Sequence, residues 1–330
     1  MLWKGGLLVA LLAASLGRAP APRTLLVVVN KGDHTVSILD PATGQRAAVV
    51  EESGVTGHEV AVSPDGRTAY VPIYGNAGVG RAGTDGRTLD VIDVASGKRT
   101  ATIDFGRAER PHHPRFGPDG RLYVTTEITQ TISIVDPRTQ AVVRQIPTGQ
   151  KESHMLALTR DGRRAYTSNV HAGTVSVVDL RGEKPPASIA VCPVAQRIAL
   201  SVDDTMAFTA DQEQPRLAVI DTRANAVARW VALPGIAFGT APTPDGRSLV
   251  VTFPGRNEVG LLDLATMQVT RTLAVPPTPQ AVVVSADGAH AFVSCDRSGQ
   301  VAALDLEAWK LERLIESGPM ADGLALAVAP

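Results

Sequence analysis

Residues 163–180 read RRAYTSNVHAGTVSVVDL. Two short runs, AYTS and TVSVVD, flank a small polar turn, which is the pattern of a β-hairpin. The chain writes this phrase repeatedly. Residues 121–136 give RLYVTTEITQTISIVD, residues 206–221 give MAFTADQEQPRLAVID, and residues 290–305 give HAFVSCDRSGQVAALD. The run ending in aspartate recurs at Asp40, Asp93, Asp136, Asp179, Asp221, Asp263 and Asp305. Its first step is about 53 residues and the later ones about 42, a spacing typical of repeat architectures. A second marker closes the apolar run that opens each repeat: Asp65-Gly66, Asp119-Gly120, Asp161-Gly162, Asp203-Asp204, Asp245-Gly246 and Asp287-Gly288. Asp-Gly between apolar runs marks a tight hairpin, because glycine takes the positive φ such a turn requires.

Each repeat therefore holds four strands, as in HMLALT, RRAYTS, TVSVVD and ASIAV. Four short antiparallel strands per unit make one blade of a β-propeller, and seven aspartate strands make seven blades. The predicted fold is all-β, a seven-bladed ring. Its ends close it: TLLVVVN, HTVSILD and GQRAAVV are the last three strands of a blade whose first is ADGLALAV near the C-terminus. Closure hides the blade edges, and the outermost runs, such as GKRTATI and KLERLI, carry charges that discourage edge-to-edge pairing.

Composition narrows the function. Net charge is −1, with 32 basic and 33 acidic residues, and aromatics are 4% of the chain. No basic stripe or set of stacking rings is present, which argues against nucleic-acid binding. The start, MLWKGGLLVALLAASLG, has one lysine before an apolar run of about ten residues, the proportions of a secretory signal and too short to span a bilayer. The expected organisation is a leader at 1–17 and a single propeller domain at 18–330, periplasmic or secreted, monomeric and with no transmembrane segment. Cys192 and Cys295 fall on blades that are not neighbours, so both are expected as free thiols.

The phrases AYTSNVHAGTVSVVD and LYVTTEITQTISIVD resemble the YVTN-repeat propellers, the YncE-like exported seven-bladed proteins of bacteria and archaea. The resemblance runs from about Thr24 to Val328. It implies the fold, while the family motif itself is structural.

Strand order divides the loops between two faces. Turns after strands one and three share the face with the uniform Asp-Gly motifs. The connection after strand two and the crossover to the next blade share the other, which carries nearly all the irregular sequence, and function is expected there. Seven residues before each Asp-Gly turn, where the innermost strand starts beside the channel, stand His58, His112, His154, Gln196, Phe238 and Gln280, with Asp322 in the closing blade. Three histidines converging on a channel mouth suit a divalent transition metal, Zn²⁺ or Cu²⁺; the alternative is that each imidazole bonds a neighbouring backbone. The ends of the second strands supply Asn169 and Asp211 as ligand contacts, and Glu127 as a general base beside His154. An insertion at 74–88, YGNAGVGRAGTDGRT, falls on the same face. Its GVGRAG leads into a strand and not a helix, so it is no dinucleotide motif. It is expected to cover the channel mouth, with Tyr74, Arg81 and His113 as further contacts.

Residues 111–127, PHHPRFGPDGRLYVTTE, also resemble the corresponding part of seven-bladed lactonases, which tend to have an arginine and histidine before the turn and Asn-Glu after the strand. Glu127 matches, while His112 stands at the arginine position and Thr126 replaces the asparagine. Two readings follow. One is a binding or accessory protein holding a small molecule, a metal or a protein partner at the channel mouth. The other is a lactone-type hydrolase or isomerase with Glu127 and His154 as acid–base groups.

Overall fold

The computed structural model describes residues 23–329, and the leader expected at 1–17 lies outside them. Three strands come first: β1 (Arg23–Asn30), β2 (Thr35–Asp40) and β3 (Gln45–Glu51). Six four-stranded meanders follow, β4 to β7 (residues 61–104), β8 to β11 (111–147), β12 to β15 (153–190), β16 to β19 (195–232), β20 to β23 (240–274) and β24 to β27 (279–316). These are blades 1 to 6. Strand β28 (Ala321–Ala329) returns to pair with β1, and the sheet β28-β1-β2-β3 is blade 7. The register runs from Thr24 opposite Val328 to Asn30 opposite Ala321. The ring is a closed seven-bladed propeller.

Local chemistry explains the repeated aspartate. Asp40, Asp221 and Asp263 each accept hydrogen bonds from the backbone N–H groups two and three residues on, and Asp136 accepts from the residue two on. These Asx turns start the outermost strand. In the Asp-Gly turns a Ser or Thr hydroxyl donates to the aspartate, as Thr159 does to Asp161 and Thr243 to Asp245. Seven apolar clusters lie one between each pair of neighbouring blades; Val27 and Ile38 of blade 7, for example, join Val71 and Ile92 of blade 1. Packing between blades, not within them, is what fixes the ring.

The innermost strands are bulged at their channel-mouth ends. Pairing with the second strand shifts between Pro111 and Pro114, Ser153 and Met155, Ala195 and Ile198, and Pro279 and Val282. A bulge breaks the two-residue alternation and re-aims side chains. Consecutive residues can then both reach the channel. Among the described residues no helix is long and apolar enough to cross a membrane.

Candidate functional site at the upper channel mouth

The face bearing the crossovers is termed the upper face. There one residue from every blade, His58, His112, His154, Gln196, Phe238, Gln280 and Asp322, lines a single cavity of about 240 Å³. Strand-two hydroxyls hold the ring in place through the backbone of the next blade. Thr125 donates to the His154 carbonyl (2.6 Å), Ser168 to that of Gln196 (2.6 Å) and Thr252 to that of Gln280 (2.8 Å).

The three histidines meet, but not as a ligand set. The rings of His112 and His154 stack with centroids 3.6 Å apart and planes at 28°, while His58 meets His112 edge-on at 5.4 Å. Imidazole lone pairs lie in the ring plane, so stacked rings aim them side by side and not at one point. Among the described residues no group of three or more His, Cys, Asp or Glu is arranged to hold a metal ion. The Zn²⁺ or Cu²⁺ expected at His58, His112 and His154 has no such group behind it in this arrangement. Burial, with neighbouring cations and imidazoles adding to it, lowers the His58 pKa to about 4 and holds His112 and His154 well below the usual imidazole range. All three are neutral at pH 7.

One residue past His58 and Gln196, Glu59 and Arg197 also reach the cavity, joined by Lys31 from the β1–β2 turn. Arg197 Nη2 lies 2.9 Å from Glu59 Oε1 and 3.2 Å from Asp322 Oδ1, and Lys31 Nζ lies 3.0 Å from Asp322 Oδ2. Burial raises the Glu59 pKa against the pull of Arg197; for Asp322 burial acts the same way, but Lys31 and Arg197 outweigh it and keep the pKa low. The Arg197 guanidinium rests over the Phe238 ring at 4.7 Å. Two cations thus face two carboxylates, and the cavity is close to charge-balanced. Three buried nitrogens of its lining, His112 Nδ1, His154 Nδ1 and Arg197 Nε, have no hydrogen-bond partner.

The insertion is shorter as a loop than its sequence suggests. Strand β5 (Thr68–Gly75) runs into it and β6 (Asp85–Asp93) emerges from it, with Gly75 opposite Asp85, so the free loop is residues 76–84. Ala77, Gly78 and Val79 roof the cavity. A latch holds the roof down. Glu127 Oε1 accepts from Gly80 N (3.0 Å) and Arg110 Nη1 (3.0 Å), and Glu127 Oε2 accepts from the Tyr74 hydroxyl. Arg110 also donates to Asp85 Oδ1 (2.6 Å) and to the Arg81 carbonyl (2.6 Å). Gly80 has φ +68°, a conformation glycine adopts without strain, and its missing side chain lets the loop lie close to the Glu152 carboxylate.

Several expected contacts take other places. Glu127 is buried behind Tyr74 with both oxygens engaged, so it is not paired with His154. Of His112 and His113, the former faces the cavity; His113 accepts a hydrogen bond at Nδ1 from the Leu156 N–H (2.9 Å) and ties blade 2 to blade 3. Asn169 is spent on Ser153, Thr174 and Ser176, and Asp211 on Arg216 and its own turn. Arg81 contributes its carbonyl to the latch, while its exposed side chain lies outside the lining. Tyr74 does line the cavity, 4.9 Å from His58 between ring centroids. Lys31, Glu59, Arg197 and Arg110 were not singled out by sequence; the signal available was charge on an innermost strand beside a narrow channel.

No protein-family model matches the chain, and no curated protein matches it. Solved structures share its fold. It is similar to the Pseudomonas aeruginosa periplasmic gluconolactonase PpgL at 18% identity, over 93% of this chain and 99% of the other, with a TM-score of 0.74. It is similar to Kuenenia stuttgartiensis hydrazine synthase at 17% identity, over 90% and 99%, with a TM-score of 0.72. Dihydro-heme d1 dehydrogenase NirN matches at 18% identity over 95% of this chain and 77% of its own, with a TM-score of 0.67. At such identities the likeness shows the seven-bladed propeller alone.

Proposed function

We propose that the protein is an exported, YncE-like binding propeller that encloses one small, uncharged, polyhydroxylated molecule in the upper cavity, beneath loop 76–84. The observation that carries this reading is the set of unpartnered nitrogens on His112, His154 and Arg197 around one cavity. Buried polar groups are nearly always hydrogen-bonded, and an unsatisfied one costs about 1–3 kcal/mol. Such a lining is arranged for hydroxyl or carbonyl groups that the chain does not supply. Balanced charges favour a neutral ligand over an ion. Neutral imidazoles and the amides of Gln196 and Gln280 offer both donors and acceptors. The volume, about 240 Å³, lies below the usual range of pockets for drug-sized ligands and suits a single ring. The leader-like start supports export to the periplasm, and the repeated phrase supports kinship with YVTN propellers.

A second reading shares the ligand class. A sugar lactone is uncharged and polyhydroxylated, His154 and His112 are unprotonated at pH 7 with a ring nitrogen of each unpartnered, and a periplasmic gluconolactonase shares the fold. In this reading His154 is the base that activates water, and Glu127 serves only to seat the loop. The test is a thermal-shift panel of monosaccharides and aldonolactones at pH 7.5, with hydrolysis followed in a pH-stat. A ligand at a hundredfold excess over its Kd should stabilise by about 2.7 kcal/mol, and Gln280→Ala should weaken it. Stabilisation without turnover supports binding alone; turnover lost in His154→Gln supports the hydrolase. A panel in which nothing stabilises, or in which Gln280→Ala responds like the parent, overturns both.

A further inference from the structure

The opposite end of the channel, on the side of the Asp-Gly turns, has its own irregularity. Three residues past the histidine ring the innermost strand faces the channel again. Five blades place alanine there, blade 6 places Val283, and blade 2 places Arg115. The guanidinium therefore stands alone in a ring of small apolar side chains. Below it lies a cavity of about 500 Å³ walled by Phe116, Leu158, Pro242 and Val284, with Arg160, Asp204 and Thr240 among the lining.

The other charges at this mouth are accounted for. Arg160 donates from Nη1 to the Val202 carbonyl (2.9 Å), and its backbone N–H donates to the Asp204 carboxylate (2.8 Å). The Arg115 side chain has no hydrogen bond and no ion pair among the described residues. Glu59 attracts it from above, but Glu59 is already 2.9 Å from Arg197. The Arg115 side chain keeps contact with channel solvent, yet the enclosing walls desolvate its charge and lower its pKa from the usual arginine range. Along the channel Lys31 and Arg197 are matched by Glu59 and Asp322. Arg115 is the cation left over.

We propose that this lower mouth is a second binding site, independent of the upper cavity, which takes an aliphatic monocarboxylate. The carboxylate pairs with the Arg115 guanidinium in the two-pronged geometry arginine favours, and the alkyl chain lies along the apolar wall towards solvent. The alanines beside Arg115 leave room for the head group.

Calorimetric titration of the full-length protein with acetate, hexanoate, octanoate, methyl octanoate and inorganic phosphate tests this. Affinity should rise about fourfold per added methylene until the chain fills the vestibule. Methyl octanoate, which lacks the charge, should bind at least tenfold more weakly than octanoate. Arg115→Gln should lose the same factor for octanoate and none for the ester, and Ala199→Leu should block both. Should Arg115→Gln fail to fold, the comparison of acid with ester on the parent protein still decides the matter. Acetate or phosphate binding as tightly as octanoate would remove the apolar wall from the site. Equal binding of acid and ester would remove the guanidinium. Either result overturns the proposal, as does a failure of octanoate to bind.

Discussion

The two mouths of one channel are built from the same seven strands, yet they differ in kind. The upper mouth breaks the repeat in nearly every blade: three histidines, two glutamines, a phenylalanine and an aspartate stand at equivalent positions, under a loop no other blade has. The lower mouth keeps the repeat, and its equivalent ring is alanine or valine apart from Arg115. A sevenfold scaffold makes any departure conspicuous, because fold requirements are the same seven times over. Many departures together describe a polar cavity whose charges are paired with one another. One departure alone describes a single point of charge in an apolar wall.

The largest expected effect removes the distinction altogether. Deleting residues 320–330 takes away β28, which supplies Asp322 above and Ala325 below and pairs along the whole of β1. Net stabilities of domains are about 5–15 kcal/mol, and the loss of an innermost strand should consume most of that, seen as aggregation or a collapse in the denaturation midpoint. A truncated chain melting like the parent would show that the ring does not close through this strand.

Next comes the latch, which acts on the upper mouth alone. Glu127→Ala leaves Arg110 buried with only part of its partners, and breaking such a pair costs about 3 kcal/mol or more. Hydrogen exchange should accelerate across residues 76–84 while blades 4 and 5 at the lower mouth stay protected. Uniform acceleration would mean that Glu127 supports the ring and not the loop.

A smaller effect separates the mouths by pH. The unfolded chain takes up protons on its imidazoles near pH 6.5, whereas folded His112 and His154 stay neutral well below that value. The stability these two histidines contribute should therefore be full above about pH 6.5 and fall as the pH drops below it, by up to about 1.4 kcal/mol per unit for each. Glu52, which burial raises to about 7, acts in the opposite direction over the same range. Denaturation measured from pH 7.5 to 5.5 checks this, and His112→Gln with His154→Gln should make the fall shallower, with buried His58 and His113 still contributing. Arg115 does not titrate there, so the lower mouth should leave no mark on the curve.

The smallest effect belongs to neither mouth. Cys192 and Cys295 are free and buried, and burial pushes their thiols up to about 11 and about 12. Neither should react with a thiol reagent in the native state, two should titrate after denaturation, and reductant should leave the melting temperature where it was. Two missing thiols with a mass two hydrogens lower would contradict the placement of the blades.

The fold was legible because turn chemistry is local. An aspartate that caps its own turn and a glycine that allows one can be read without knowing the neighbours, and counting back from those six turns finds six of the ring residues, His58 to Gln280, with Asp322 following from the closure of the ring. Beyond that point the bulges intervene. Strict alternation puts Arg197 on the face opposite Gln196, and only the shifted pairing between Ala195 and Ile198 brings both to the cavity. Glu127 was legible as a residue at the right mouth but not as a latch, since its partners Gly80 and Arg110 approach it from separate loops. Asn169 and Asp211 looked like lining because they end the second strand at that mouth; their side chains turn back into their own blades.

Ring closure also carries a kinetic consequence. Blades 1 to 6 are local meanders, each able to pair its strands as soon as they are made. Blade 7 must bring Val27 to Ala325, a pairing across roughly three hundred positions, and non-local pairing of this kind is slow. Until it happens β1 offers an unpaired edge, which invites association with another chain. A circular permutant with residues 23 and 329 joined by a short linker, opened instead between blades 7 and 1, would turn that last encounter into an ordinary hairpin. Its folding should then lose its slowest phase, with both mouths intact.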